Sequence, residues 1–248
     1  MTMMDEQLKN MLQYLRLYEL CAHWNQYLQL AGNKNFSHGQ LLQYVVEQEY
    51  NLKEQTARKN RLKRAMIPEK LVIETYPFER QPNLNKKKIL SLYDAFDYMT
   101  KTQNMIFIGP TGTGKTGLAT AFLIHANDRG YTARFILFPE LIEQLYQSVA
   151  DHSEAKIMKK FCAYDCLLID EIGYVEVQPV QVGLFFTLMH KRHKKKTTLI
   201  TSNLGFVQWG SFLKNDHLTA ALIDRLTENS HVINMKKCVS LRPKLDPS

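Results

Sequence analysis

The sequence predicts an α/β domain with a mainly parallel, five-stranded sheet, preceded by a small helical N-terminal domain. Three observations carry that expectation. From Asn104 onward short apolar runs alternate with helical periods, the pattern of a parallel sheet covered on both faces. Ahead of it, apolar residues recur at three- and four-residue steps, as on one face of a helix. A glycine-rich turn follows the first apolar run, and ligands of such sheets bind beyond the carboxyl ends of their strands. With 248 residues, 45% apolar and 23% charged, the chain is long enough for one main domain and a small appended module.

Leu8, Met11, Leu12, Leu15, Cys21, Trp24 and Leu28 describe one buried helix face over residues 8–30, which "AGN" ends. Ser37 as N-cap with Gln40 three residues on forms a capping box, and the helix it starts runs through a basic segment and stops before Pro68. Residues 1–67 therefore read as a helical, basic module for DNA binding or assembly. Residues 68–103 read as a connector, extended where Pro68, Pro77 and Pro82 disfavour helix and helical over "ILSLYDAFDYMTKTQ". Residues 104–248 form the core. Its expected strands are "NMIFIG", "ARFILF", "DCLLID", "TTLITS" and "HVINM", with helices after Thr113 and around residues 139–150, 178–193 and 217–227.

The polar, acidic start and the lack of any run of roughly 18 apolar residues predict an untargeted chain without a membrane span. Four scattered cysteines, with no C-x-x-C pair, read as reduced thiols of a cytoplasmic protein. A formal charge of +8 and a pI near 9.2 make a polyanion a plausible partner. Six bases, Lys53, Arg58, Lys59, Arg61, Lys63 and Arg64, face one acid, Glu54, in "KEQTARKNRLKR"; "HKRHKKK", His190 to Lys196, is a second cluster. Each cluster alone reads equally as a solvated face; two together favour a polyanion.

Gly109, Pro110, Thr111, Gly112, Thr113, Gly114, Lys115 and Thr116 satisfy G-x-x-x-x-G-K-[ST] between an apolar strand and a helix, the context that makes the motif specific. The glycines let backbone amides curl towards phosphate oxygens at a helix N-terminus, Lys115 reaches the β- and γ-phosphates, and the Thr116 hydroxyl ligates Mg²⁺. Asp170, ending the strand "CLLID", supplies a carboxylate for the metal, and Glu171 beside it is placed to deprotonate a water. A base for water favours ATP hydrolysis over transfer to a second substrate. Asn203, at the end of "TTLITSN", falls beside the strand bearing Asp170, where it can fix the lytic water or sense the γ-phosphate, or serve only as a turn residue. Arg225 lies far along the chain, suited to completing a neighbouring subunit's site or to a local ion pair with Asp224.

"GPTGTGKTGLA", "DCLLIDEIGYVEV", "TTLITSNLGFVQWGSF" and "LTAALIDRL", in this order, closely resemble the IstB-like transposition helper ATPases, relatives of the DnaC helicase loaders in the initiator branch of AAA+ proteins. The resemblance spans nearly the whole chain, and "SNLGFVQWG" is its most specific piece. It implies a bacterial, Mg²⁺-dependent ATPase that forms a homo-oligomer on duplex DNA with ATP and assists an insertion-sequence transposase. On this chain, residues 109–116 match the family's Walker A motif, Asp170 and Glu171 Walker B, Asn203 sensor 1 and Arg225 the arginine finger. The family's terminal glycine and Ser-Tyr-Arg are replaced, Cys238 standing for the glycine and Leu241 for the aromatic, with Arg242 a candidate sensor-2 residue. Too few residues follow Arg225 for a full helical lid, so the N-terminal module or a neighbour is expected to cover the nucleotide. DNA contacts are expected from Arg58, Lys59, Arg61, Lys63 and Arg64, and from Lys156, Lys159 and Lys160 of the initiator-type insert. Two other functions use the same parts: a helicase loader, and a nucleotide-gated DNA scaffold in which hydrolysis is incidental.

Overall fold

The apolar period from Leu8 does not produce one helix. The structure, a computed structural model describing residues 4–242, breaks it into α1 (Glu6–Tyr14) and α2 (Tyr18–Asn33). Arg16 adopts a left-handed φ of 56°, and the Arg16 and Leu17 amides donate to Gln13 O at 2.9 Å and Leu12 O at 2.8 Å, the paired bonds of a Schellman stop. The expected buried face is corrected with it: Leu12 is buried, whereas Met11, Leu15 and Leu28 are exposed. Asp5 caps α1 through the Leu8 amide at 2.6 Å. The third helix, α3 (His38–Arg64), begins with the expected capping box: Ser37 N donates to Gln40 Oε1 at 2.8 Å and Gln40 N to Ser37 Oγ at 3.3 Å. Buried Glu49 of α3 accepts the Glu19 and Leu20 amides at 2.9 and 3.1 Å, so a carboxylate from one helix satisfies the positive start of another.

The chain divides into two compact units, the first ending at Asn60 and the second beginning at Arg61. The first three and last six residues of the expected domains lie outside the described residues.

The second unit holds a five-stranded, wholly parallel sheet in the order β2-β3-β4-β1-β5, built from β1 (Asn104–Ile108), β2 (Ala133–Leu137), β3 (Cys166–Ile172), β4 (Thr197–Ser202) and β5 (Ser230–Asn234). Strands covered on both faces need apolar residues at successive positions, which is why they read as continuous apolar runs. Side chains alternate between two cores. Met105 and Phe107 join Phe122 of α6 (Lys115–Asp128) on one face. Ile106 and Ile108 join the opposite face with α7 (Phe138–Ala150), α9 (Pro179–Arg192) and α11 (Asp216–Thr227). The strand order sets β4 between β1 and β3, so residues at the end of β4 separate the glycine loop from the Asp170 strand.

Two further helices, α8 (Glu154–Ala163) and α10 (Phe206–Leu213), complete that second core. The helix expected after the connector is split into α4 (Lys86–Ala95) and α5 (Asp97–Thr100) by Phe96, at φ 59°. The connector is not merely extended. It forms two short 3-10 turns, Ile73–Thr75 and Phe78–Arg80, and buries Ile73, Tyr76, Phe78 and Leu84 in the first core. No helix among the described residues is long and apolar enough to cross a membrane.

Candidate nucleotide site

Beyond β1 the chain turns sharply through Gly112 and Gly114, at φ 84° and 87°, a backbone that β-carbons disfavour. Space is also short: a Cβ on Gly114 would lie 2.8 Å from Leu241 Cδ1 and 2.9 Å from the Tyr76 hydroxyl. The loop closes on itself through Thr113 Oγ1 donating to Pro110 O at 2.9 Å, and Lys115 Nζ donates to the same carbonyl at 2.8 Å. Burial lowers the Lys115 pKa, countered in part by the Asp170 carboxylate.

Asp170 is 2% exposed and accepts from Thr116 Oγ1 at 3.0 and 3.1 Å and from Thr201 Oγ1. Burial pushes its carboxyl above the ordinary value, against the downward pull of those hydroxyls and of Lys115. A buried carboxylate beside a hydroxyl is the oxygen donor set that suits a hard divalent cation, so the residues present fit Mg²⁺. Glu171 follows at a β-bulge: Ile169 pairs with Ile200 and Ile172 with Ser202, so Asp170 and Glu171 together oppose Thr201 alone. Its backbone is left-handed, φ 65°, a strain of about 1–3 kcal/mol that must be held by its surroundings. The Thr201 hydroxyl supplies a hold, accepting the Glu171 amide at 3.0 Å while donating to Asp170.

A cavity of about 620 Å³ joins Lys115, Thr116 and Glu171 to Glu69 of the connector and to Leu241 and Arg242. Asn203 is absent from its lining; its Oδ1 is buried without a hydrogen-bond partner, against Gly173. Arg225 is also absent. Its guanidinium lies over Phe186 at 4.9 Å, with Nε donating to His190 Nδ1 at 3.2 Å and one terminal nitrogen to Ala221 O at 2.8 Å. Sequence reasoning did not find Thr201, Tyr174, Tyr76 or Gln81. Thr201 had a signal, a polar residue within an apolar strand. The others act over long separations: the Tyr174 hydroxyl meets Thr111 Oγ1 at 2.7 Å, and Tyr76 and Gln81 donate to Thr113 O at 3.2 and 3.1 Å.

On α3, Arg58, Lys59, Lys63 and Arg64 are exposed, whereas Arg61 is half-buried with Nε 3.4 Å from Asn127 O. On α8, Lys156 and Lys159 are exposed; Lys160 donates to Gln144 at 3.0 Å and lies 5.0 Å over the Phe161 ring. The second basic cluster is corrected. Arg192 is buried, donating to the carbonyls of Phe161, Tyr164 and Thr197 at 2.7, 2.8 and 2.6 Å, while Lys194 pairs with Glu228 and Lys196 with Asp165. Of its bases Arg192 is buried, whereas Lys191, Lys194 and Lys195 remain exposed.

Residues 10–245 match the family described as IstB-like ATP binding protein. The "Insertion sequence IS21 putative ATP-binding protein" of Pseudomonas aeruginosa is 30% identical over 230 residues, covering 93% of this chain and 86% of the relative. The "Insertion sequence IS232 putative ATP-binding protein" of Bacillus thuringiensis subsp. berliner is 29% identical, covering 93% and 92%. The crystal structure of the DnaC helicase loader is 21% identical with a TM-score of 0.52, covering 61% of this chain and 88% of that one. AMPPCP-bound DnaA from Aquifex aeolicus is 17% identical with a TM-score of 0.54, covering 69% and 51%. Identities so low attest a shared fold alone. A match running over nearly the whole length, on that scaffold, makes this chain a member of the IstB-like family of ATP-binding proteins.

Proposed function

We propose that the chain is an ATP-hydrolysing, duplex-DNA-binding protein that assists an insertion-sequence transposase, with hydrolysis controlling its assembly on DNA. The observation that carries this is a cavity at the glycine loop lined by Thr116 and the strained Glu171, with the Thr116 hydroxyl bonded to the buried Asp170 carboxylate behind it. Mg²⁺ held by Thr116 and Asp170 would neutralise charge on the phosphates of ATP. The chain's own residues do the rest: the loop amides and Lys115 orient the triphosphate, and Glu171 takes a proton from water. Asn203, at the end of β4, is assigned to the γ-phosphate, and Arg225 to a neighbouring subunit. The insertion-sequence names of the curated relatives favour a transposase over a replicative helicase as client. Recovery of an insertion-sequence transposase, and not of a replicative helicase, in an ATP-dependent pull-down is the expected outcome.

Two further results are expected. Thr201→Val, which removes both holds on the acids, lowers the ATPase turnover about tenfold with little change in KM, and Thr201→Ser restores it. Steady-state kinetics of the three proteins checks this. For DNA, Lys59 and Lys63 are the better pair to neutralise, because they stand four residues apart on one face of α3 and Arg61 is tied to Asn127. Replacing both with glutamine weakens binding to all duplex sequences alike and makes the log-log salt dependence shallower by roughly two units. Titration from low to moderate salt measures the slope; an unchanged slope removes this helix from the DNA interface.

A further inference from the structure

Beyond β5, Leu241 and Arg242 wall the cavity. Their backbone is fixed at one point by Leu241 N donating to Gly112 O at 2.8 Å. The remaining hold comes from the connector. Gln81, 1% exposed, pairs its carboxamide with the Val239 backbone in both directions: Nε2 donates to Val239 O at 2.7 Å and Oε1 accepts Val239 N at 3.0 Å. Nε2 also donates to Thr113 O, inside the glycine loop, at 3.1 Å, so both of its hydrogens are committed. Asn83 adds a bond to Lys237 O at 2.9 Å. One buried side chain thus ties together a connector, the phosphate loop and a segment 158 residues distant in sequence.

We propose that Gln81 is a positioning residue of the nucleotide site, clamping residues 239–242 against the glycine loop so that they hold the cavity wall; this rests on the reading that the cavity takes ATP. The contact between segment and loop is tight. The side chain of Leu241 fills the space over Gly114, and Ser240 Oγ lies 2.6 Å from where a Cβ on Gly112 would stand, so wall and loop hold their shapes jointly. A methionine at 81 keeps the length but strands the Val239 N–H and C=O and leaves Thr113 O to the Tyr76 hydroxyl alone. A glutamate turns a carboxylate onto two carbonyls. Either change releases the wall and weakens the nucleotide without touching Lys115, Thr116 or Asp170.

The test measures the affinity of a fluorescent ATP analogue for four proteins: the full chain, Gln81→Met, a chain ending at Cys238, and Gln81→Met in that shortened chain. Gln81→Met and the shortening are each expected to weaken binding about tenfold, the effect of a lost buried hydrogen-bonded contact. Combined, they should cost no more than about twofold beyond the shortening alone, because Gln81 acts through the segment already removed. Additive losses, or a shortened chain that binds as tightly as the full one, overturn the proposal. Hydrogen exchange without nucleotide gives a second reading: in Gln81→Met the Val239 and Leu241 amides exchange faster while β1 and β4 amides keep their protection. Unchanged exchange at Val239 and Leu241 also overturns it. If the unaltered chain fails to bind the analogue, the ATP reading falls, whereas the exchange experiment still decides the clamp.

Discussion

Glu171→Gln is expected to lower ATP turnover about 10²- to 10⁴-fold, the range over which a positioned general base contributes, with ATP affinity nearly unchanged. The separation follows from the geometry. Glu171 sits on the cavity wall with its amide held by Thr201, while the donor set for the cation, Thr116 and Asp170, is bonded through other groups and stays intact. Glutamine preserves the shape and the left-handed backbone but cannot accept a proton. Asp170→Asn should behave differently, losing Mg²⁺-dependent affinity, because the altered group is the buried carboxylate itself. Single-turnover hydrolysis and analogue binding measure the two effects. The same variant separates a timed ATPase from a nucleotide-gated scaffold: a Glu171→Gln protein that binds ATP and DNA yet supports transposition at the normal frequency would make hydrolysis incidental.

Arg225→Ala is expected to lower turnover by about 10³-fold or more in the DNA-bound assembly, as arginine fingers do in other NTPases. Arg225 takes no part in the cavity of its own chain, where an arginine engaging phosphates would be found. It is instead carried on α11, stacked on Phe186 and steered by His190, with two of its three nitrogens committed. Such a side chain is held in place, and the proposed role gives it a target on a neighbouring subunit. Mixing decides the matter. Arg225→Ala subunits keep Glu171, and Glu171→Gln subunits keep Arg225, so a mixture of two inactive proteins should regain activity well above either alone. Additive, near-zero rates across all mixing ratios would leave Arg225 as a local structural residue.

The loop and Asp170 were legible because their chemistry demands particular residues in a particular context: glycines where φ is positive, a lysine and threonine opening a helix, a carboxylate ending an apolar strand. The five strands were legible because burial on both faces leaves continuous apolar runs. Breaks at Arg16 and Phe96 were not, since residues other than glycine or asparagine took the left-handed position and local sequence offers no warning. The prolines of the connector correctly excluded helix but gave no hint of packing, because what Tyr76 and Gln81 touch is decided by distant parts of the chain. Charge was the most misleading cue: composition counts Arg192 and Lys63 alike, although one is buried among carbonyls and the other meets solvent.

That buried arginine has a consequence for recognition. By binding the carbonyls of Phe161 and Tyr164 where α8 ends, and Thr197 at the start of β4, Arg192 rivets the helix bearing Lys156 and Lys159 to the sheet. A lysine pair on a fastened helix has already lost the backbone freedom that a loop would surrender only on docking. Its attraction for a phosphate backbone would therefore be less offset by ordering, so a cation hidden from every partner sets the entropic terms on which exposed ones are offered.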